Sequence, residues 1–245
     1  MNLDRQTLTI LLVLAIAMAI ALGVLIPWLR RGPRGDLLVG LLWRLLRFYS
    51  RLVHRARYEG LETFRDQPHS GPLIVVSNHT GAIDPLLIQA SCRFHIRWMM
   101  ASDMMMPALD WFWQREKLIP VARDGRDAAA AREAIRHVQG GGAIGIFPEG
   151  RIVQPPRQIR PFHQGVGFII ARTQAPVLLV WVSGTPDAHD MAESILRRSR
   201  ARVKYLELID FKGERDPGVI TQTLRQHLAA ATGWPLNDEP MPPKQ

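Results

Sequence analysis

From Gln6 to Leu29 the chain carries no charged side chain, and almost every position is Leu, Ile, Val, Ala or Met. A helix of that length reaches roughly 36 Å at about 1.5 Å per residue, enough to cross a hydrocarbon core about 30 Å thick. Residues 1–35 therefore read as a transmembrane anchor, with Trp28 at its interfacial end. A cleaved signal peptide would carry a shorter apolar region with a small-residue cleavage site after it. Here the small residues lie inside the run, and Pro27-Trp28-Leu29-Arg30-Arg31 follows it. From Asp36 to Tyr58 the pattern changes. Leu37, Leu38, Leu41, Leu42, Leu45 and Leu46 recur at helical spacing, interleaved with Arg44, Arg47, Arg51, Arg55 and Arg57. That pattern predicts a basic amphipathic helix over 36–60 lying on a membrane surface, in preference to one packed on the domain with its arginines in water.

Beyond residue 60 short apolar runs alternate with helical patterns. The predicted strands are Leu73–Ser77, Ile96–Ala101, Lys117–Val121, Ala143–Phe147, Val177–Val182 and Val203–Ile209. The predicted helices are Pro85–Phe94, Asp127–Val138, Val166–Arg172, Ala188–Leu196 and Val219–Ala230. This alternation argues for an α/β domain over 61–232, with a mixed, largely parallel central sheet flanked by helices. The Pro-rich, polar stretch 233–245 reads as a loose C-terminal tail.

Charge narrows the partners. A formal net charge of +9 over 245 residues favours anionic surfaces: nucleic acid, acidic headgroups or an acidic carrier protein. The cluster Arg197-Arg198-Ser199-Arg200-Ala201-Arg202 comes with no nucleic-acid recognition motif, so no nucleic-acid partner is expected. Arg30, Arg31 and Arg34 follow the apolar span while only Arg5 precedes it, which places the globular part on the cytoplasmic face. The single cysteine, Cys92, reads as a small core residue on a helix. Eight scattered histidines without ligand spacing predict no metal. Gly140-Gly-Gly142-Ala-Ile-Gly145 follows a predicted helix and leads into a strand, so it is a turn and not a dinucleotide loop.

The chemistry concentrates at two strand ends. Asn78-His79-Thr80-Gly81-Ala82-Ile83-Asp84 sets a histidine and a carboxylate with four residues between them, directly after the run 73–77. Acyl transfer to an alcohol needs a base that works near neutral pH and a partner that holds its tautomer; His79 and Asp84 are the right residue types. Asp84-Pro85 before an apolar run also reads as a helix N-cap followed by Pro at the first helical position. The second cluster, Phe147-Pro148-Glu149-Gly150-Arg151, follows the run 143–146. Strand ends are where α/β folds place their sites.

Asn-His-x4-Asp followed by Phe-Pro-Glu-Gly resembles the glycerolipid acyltransferases, typified by 1-acylglycerol-3-phosphate acyltransferase, over roughly 61–208. The resemblance implies that His79 is the general base and Asp84 its orienting partner. It implies that Glu149, Gly150 and Arg151 bind the acceptor and its phosphate, and that Arg123 joins in phosphate binding. Asn78, Gly81 and Pro148 are assigned to shaping the motifs, with Gly81 using backbone angles closed to other residues. Relatives commonly carry Thr then Arg after the glycine; this chain has Arg151 then Ile152, which leaves the acceptor's identity open. The implied reaction moves a fatty acyl group from acyl-CoA or acyl carrier protein to lysophosphatidic acid, with no cofactor. The partners expected are the bilayer, that lysophospholipid and the acyl donor. Another lysophospholipid or lyso-aminolipid acceptor is the nearest alternative. A catalytically silent lipid-binding protein and a phosphoester hydrolase using His79 are alternatives of other classes. No Gly-x-Ser-x-Gly elbow occurs, so direct hydroxyl attack on the thioester is the expected route.

Overall fold

Buried strands that are apolar at every position need cover on both faces, and the chain supplies it with helices on each side of one sheet. The computed structural model describes residues 4–60, 71–122, 127–186 and 191–239. In chain order the elements are α1 (Arg5–Arg30), α2 (Leu37–Leu52), β1 (Arg57–Glu59), β2 (Leu73–Ser77), α3 (Asp84–Ser91) and β3 (Ile96–Ala101). There follow α4 (Asp110–Glu116), β4 (Ile119–Val121), α5 (Ala128–Gln139), β5 (Ala143–Ile146) and α6 (Gly165–Thr173). The last are β6 (Val177–Ser183), α7 (Met191–Leu196), β7 (Arg202–Ile209) and α8 (Pro217–Thr232). Among the described residues the strands form one sheet in the order β1-β7-β6-β2-β5-β3-β4. Five strands, β2 to β6, run parallel to one another; β7 is antiparallel to β6, and β1 is parallel to β7. The sheet is mixed and largely parallel.

Alternation along β2 divides the core. Ile74 and Val76 point to a cluster built with Ala134 and Val138 of α5, Val166 and Ile170 of α6, and Ile220 and Leu224 of α8. Leu73 and Val75 point the other way, to Leu87 and Ile88 of α3 and to Val203 and Tyr205 of β7. Each fully buried Leu or Ile contributes about 1.5–3 kcal/mol by leaving water. Cys92 sits in the second cluster, 1% exposed, at the end of α3, with Tyr205 Oη 3.3 Å from its Sγ. Burial pushes its thiol up to about 12.

Helix α1 is long and apolar enough to cross a membrane, and none of its residues is buried. Its C-terminal end meets α2 closely: a Cβ on Gly40 would lie 1.9 Å from the Leu29 carbonyl oxygen, so only glycine fits there. Helix α2 uses both of the faces proposed for it. Val39, Trp43 and Ser50 are buried, and the Trp43 indole donates to the Gln89 carbonyl of α3 at 3.2 Å. Leu37, Leu41, Leu45, Phe48 and Leu52 remain exposed as a stripe. The arginines are not simply in water: Arg44 lies over the Trp28 ring at 3.3 Å and Arg47 over Trp43 at 4.6 Å.

Two differences change the bounds expected for the sheet domain. The helix predicted to Tyr58 stops at Leu52, and Arg57–Glu59 instead forms β1 beside Arg202–Lys204 of β7. The open edge of β7 offers unpaired backbone groups, and satisfying them outweighs a local helical pattern. The sheet domain therefore begins before residue 61. It also extends past 232: residues 233–239 are not loose. Leu236 bridges to Ile159, and Trp234 stands edge-on to Trp181 at 5.7 Å. Long-range pairing of this kind leaves no trace in local composition. Helix α4, Asp110–Glu116, lies in an apolar stretch with no predicted element; it buries Trp113 and exposes Trp111.

Candidate active site

Strands β2 and β5 are neighbours, with Val76 opposite Ile146, so the loops leaving their carboxyl ends emerge side by side. This register brings two clusters seventy residues apart in sequence into contact. Asn78 anchors the first loop. Its side-chain amide donates to the Val182 carbonyl and its oxygen accepts from the Val182 amide, both at 2.8 Å, fastening the end of β2 to β6. The His79 carbonyl then accepts from the Val153 amide at 2.9 Å.

His79 Nδ1 lies 3.0 Å from Asp84 Oδ2. The same oxygen accepts from the amides of Thr80 at 2.6 Å and Gly81 at 2.9 Å. Asp84 is fully buried, whereas the His79 side chain is 18% exposed. Asp84 does not cap α3: it stands in the helix's first turn, the N-cap is Ile83, and no side-chain capping bond forms. The carboxylate faces back to the loop, where two amides and an imidazole offer better donors. Its second oxygen, Oδ1, is buried without a hydrogen-bond partner.

One face of the imidazole is covered by aromatics. Its ring stacks on Phe147 at 4.1 Å and 16°, and Phe147 stacks on Trp98 at 5.0 Å and 13°. Gly145 makes this possible, since a Cβ there would come within 2.3 Å of the Trp98 ring. The stack fixes the plane of the base.

Glu149 was expected to bind the acceptor. In the structure it is fully buried, and both oxygens are occupied by the chain itself. Oε2 accepts from the His79 amide at 3.0 Å and Oε1 from the Arg160 amide at 3.1 Å. Burial pushes its carboxyl up to about 7; the two amides and the Arg225 charge pull it down, while Asp84 pushes it up. Glu149 is thus a strut between the two loops. Gly150 adopts φ +73, and a Cβ there would meet His163 Nε2 at 2.7 Å. Pro148 is buried, and its carbonyl accepts from His163 N at 2.8 Å. Arg151 is exposed on the loop that follows. Gly81 has no left-handed backbone angle, contrary to expectation. It is needed for its size, since a Cβ would lie 2.9 Å from Thr185 Oγ1, which itself meets Thr80 Oγ1 at 2.9 Å. Arg123 lies outside the described residues.

Four participants carried no local motif: Trp98, Thr185, Arg160 and Arg225. Arg225 did leave one signal. It falls on the buried stripe Thr221, Leu224, Arg225, Leu228 of α8, and a charged residue on a core-facing stripe needs buried partners.

A family model described as Acyltransferase matches residues 55–183. N-acylphosphatidylethanolamine synthase of Arabidopsis thaliana is 27% identical over 127 residues, which is 47% of this chain and 45% of that protein. The chain thus spans about half the length of that curated relative. Among solved structures, the 1-acyl-sn-glycerophosphate (LPA) acyltransferase PlsC from Thermotoga maritima matches with a TM-score of 0.63 and 20% identity, covering 78% of each chain. At that identity the match speaks for the fold.

Proposed function

The chain belongs to the acyltransferase family, and from that membership we propose that it moves a fatty acyl group from a thioester of coenzyme A or acyl carrier protein to the free hydroxyl of 1-acylglycerol-3-phosphate. The observation that carries the reading is the His79–Asp84 pair, 3.0 Å apart at the carboxyl end of β2. With Nδ1–H donated to the carboxylate, Nε2 presents its lone pair to the acceptor hydroxyl. Nε2 takes the hydroxyl proton as the oxygen attacks the thioester carbonyl and the new C–O bond forms. The resulting imidazolium is held by Asp84 Oδ2 on one side and by the Phe147 face on the other. Collapse of the tetrahedral adduct breaks the C–S bond, and the proton passes from Nε2 to the departing thiolate. The products are an ester and a free thiol, with no covalent enzyme intermediate. Arg151, exposed at the mouth of the second loop, supplies a guanidinium for the acceptor phosphate, and Arg123 is assigned the same role.

We place α1 across the membrane as a single span with the sheet domain on the cytoplasmic side, on the strength of Arg30, Arg31 and Arg34. The exposed stripe of α2 then lies in the headgroup region, which brings the site to a lipid acceptor. A second reading changes only the acceptor, to a lyso-aminolipid or another lysophospholipid. The Arabidopsis relative, an N-acylphosphatidylethanolamine synthase, favours keeping it. The test is acyl transfer by the purified, detergent-solubilised protein, with labelled acyl-CoA and acyl carrier protein offered separately. Acceptors are lysophosphatidic acid, lysophosphatidylethanolamine and phosphatidylethanolamine, with His79→Ala as control. Product from lysophosphatidic acid that His79→Ala abolishes supports the first reading. Product only from an ethanolamine lipid replaces it with the second, and lipid binding without turnover in any pair removes both.

A further inference from the structure

The strut formed by Glu149 has its own support, and that support comes from a part of the chain beyond the family match, which ends at residue 183. Arg225 on α8 is 6% exposed. Its Nε donates to the Arg160 carbonyl at 3.1 Å, and its Nη2 donates to the carbonyls of Ile159 and Asn237, each at 3.1 Å. Its Nη1 meets Asp238 Oδ1 at 2.6 Å. The C-terminal segment closes over the same two residues. Ile159 N donates to Pro235 O at 2.9 Å, Asn237 N donates to Ile159 O at 3.0 Å, and Arg160 Nη1 donates to Glu239 O at 2.7 Å. The backbone at 159–160 is thereby gripped by a buried guanidinium and by residues 235–239. Arg160 N is one of the two amides that hold Glu149, and His79 N is the other.

We infer that Arg225, together with residues 235–239, is a positioning device that fixes Glu149 through the 159–160 backbone and so sets where the His79 imidazole stands. A guanidinium that binds three carbonyls at once spends three of its five donors on one purpose, and Lys cannot reproduce that fork. Asp238 is 80% exposed, so its contact with Arg225 is the peripheral one; the carbonyl contacts do the positioning. The charge acts in the same direction. Asp84 and burial both favour protonated Glu149, whereas Arg225 and the two amides favour the carboxylate that can accept from both. The other charged or titratable groups at this junction are Asp238 on Arg225, the Arg160 guanidinium bound to the Glu239 carbonyl, His79, whose amide binds Glu149, and His163, whose ring lies close to Gly150. Removing Arg225 therefore loosens the strut and moves the protonation of Glu149 to higher pH.

The inference rests on acyl transfer as the reaction, so the test pairs a catalytic readout with one that needs no turnover. In the full chain in detergent, Arg225→Met is compared with wild type, with Glu149→Gln and with the double variant; Arg225→Lys serves if the Met variant fails to fold. The expected result is a loss of kcat of about tenfold in the wild-type background and at most twofold in Glu149→Gln, because Arg225 acts through Glu149. KM for the acceptor should stay within twofold, and the acid limb of the pH profile should move to higher pH. Hydrogen exchange at the His79 amide should speed at least tenfold while the β5 and β6 amides keep their protection. Equal losses in both backgrounds, or unchanged His79 exchange in a folded variant, would overturn the proposal. Absence of transfer by wild type would count against the reaction, and the exchange result would still decide the clasp.

Discussion

Asp84→Asn separates the charge of the dyad from its geometry. Four donors, His79 Nδ1, the amides of Thr80 and Gly81 and, at 3.4 Å, the Thr80 hydroxyl, converge on Oδ2, while Oδ1 has no hydrogen-bond partner. An asparagine can set its carbonyl oxygen in the Oδ2 position and keep every one of these contacts. Its NH2 then takes the Oδ1 position without an acceptor, which costs about 1–3 kcal/mol of stability. What disappears is the negative charge facing the imidazolium of the transition state. At about 4 Å and an effective dielectric of about 20, that attraction is worth about 4 kcal/mol, or roughly a thousandfold in kcat at about 1.4 kcal/mol per decade. Asp84→Ala adds a second loss, since the Thr80 and Gly81 amides are left without their acceptor, at about 1–3 kcal/mol each. The assay is kcat with labelled thioester and the acceptor that wild type uses, alongside thermal unfolding of each variant. The reasoning fails if folded Asp84→Asn stays within tenfold of wild type. A carboxylate that served only the fold would show that pattern, losing stability and no turnover.

Other outcomes follow from the same geometry. Burial raises the Glu149 carboxyl from its ordinary 4.5 to about 7, so the folded state holds its proton more tightly. Its contribution to stability is complete below the unfolded value and is lost as pH rises through 7, a change of about 3 kcal/mol; denaturant titrations of Glu149→Gln should show that slope removed. Gly81→Ala should destabilise by about 1–3 kcal/mol through its contact with Thr185, and Thr185→Ala should relieve part of the loss; no relief would mean the crowding lies elsewhere. Cys92, buried with its thiol pushed up to about 12, should resist maleimide at pH 8 until the protein is denatured, and labelling of the native protein would contradict its place in the core.

Periodicity and residue type carried much of this protein openly. Leu73–Ser77 and Ile96–Ala101 are strands at the boundaries their sequence runs imply; the first is buried at every position, and a strand covered on both faces has little choice but to be largely apolar. The span over Gln6–Leu29 falls within α1, since an uncharged run of that length has few other uses. His79 and Asp84 were legible because base and partner sit on one short loop, where spacing alone brings them together. Tertiary structure decided what depended on residues far apart. Glu149 reads as a substrate ligand in its motif, and only the neighbouring of β2 and β5 turns it into a strut for His79. Gly81 was legible as necessary but for the wrong reason, because the crowding comes from Thr185, just past the end of the neighbouring β6. The end of α2 and the ordered tail belong to the same class. Arg57–Glu59 and residues 235–237 satisfy backbone groups on an edge strand and on a loop that no local pattern announces. Local sequence sets what each segment can do alone; which buried donor meets which acceptor is settled only when the sheet brings them within hydrogen-bonding distance.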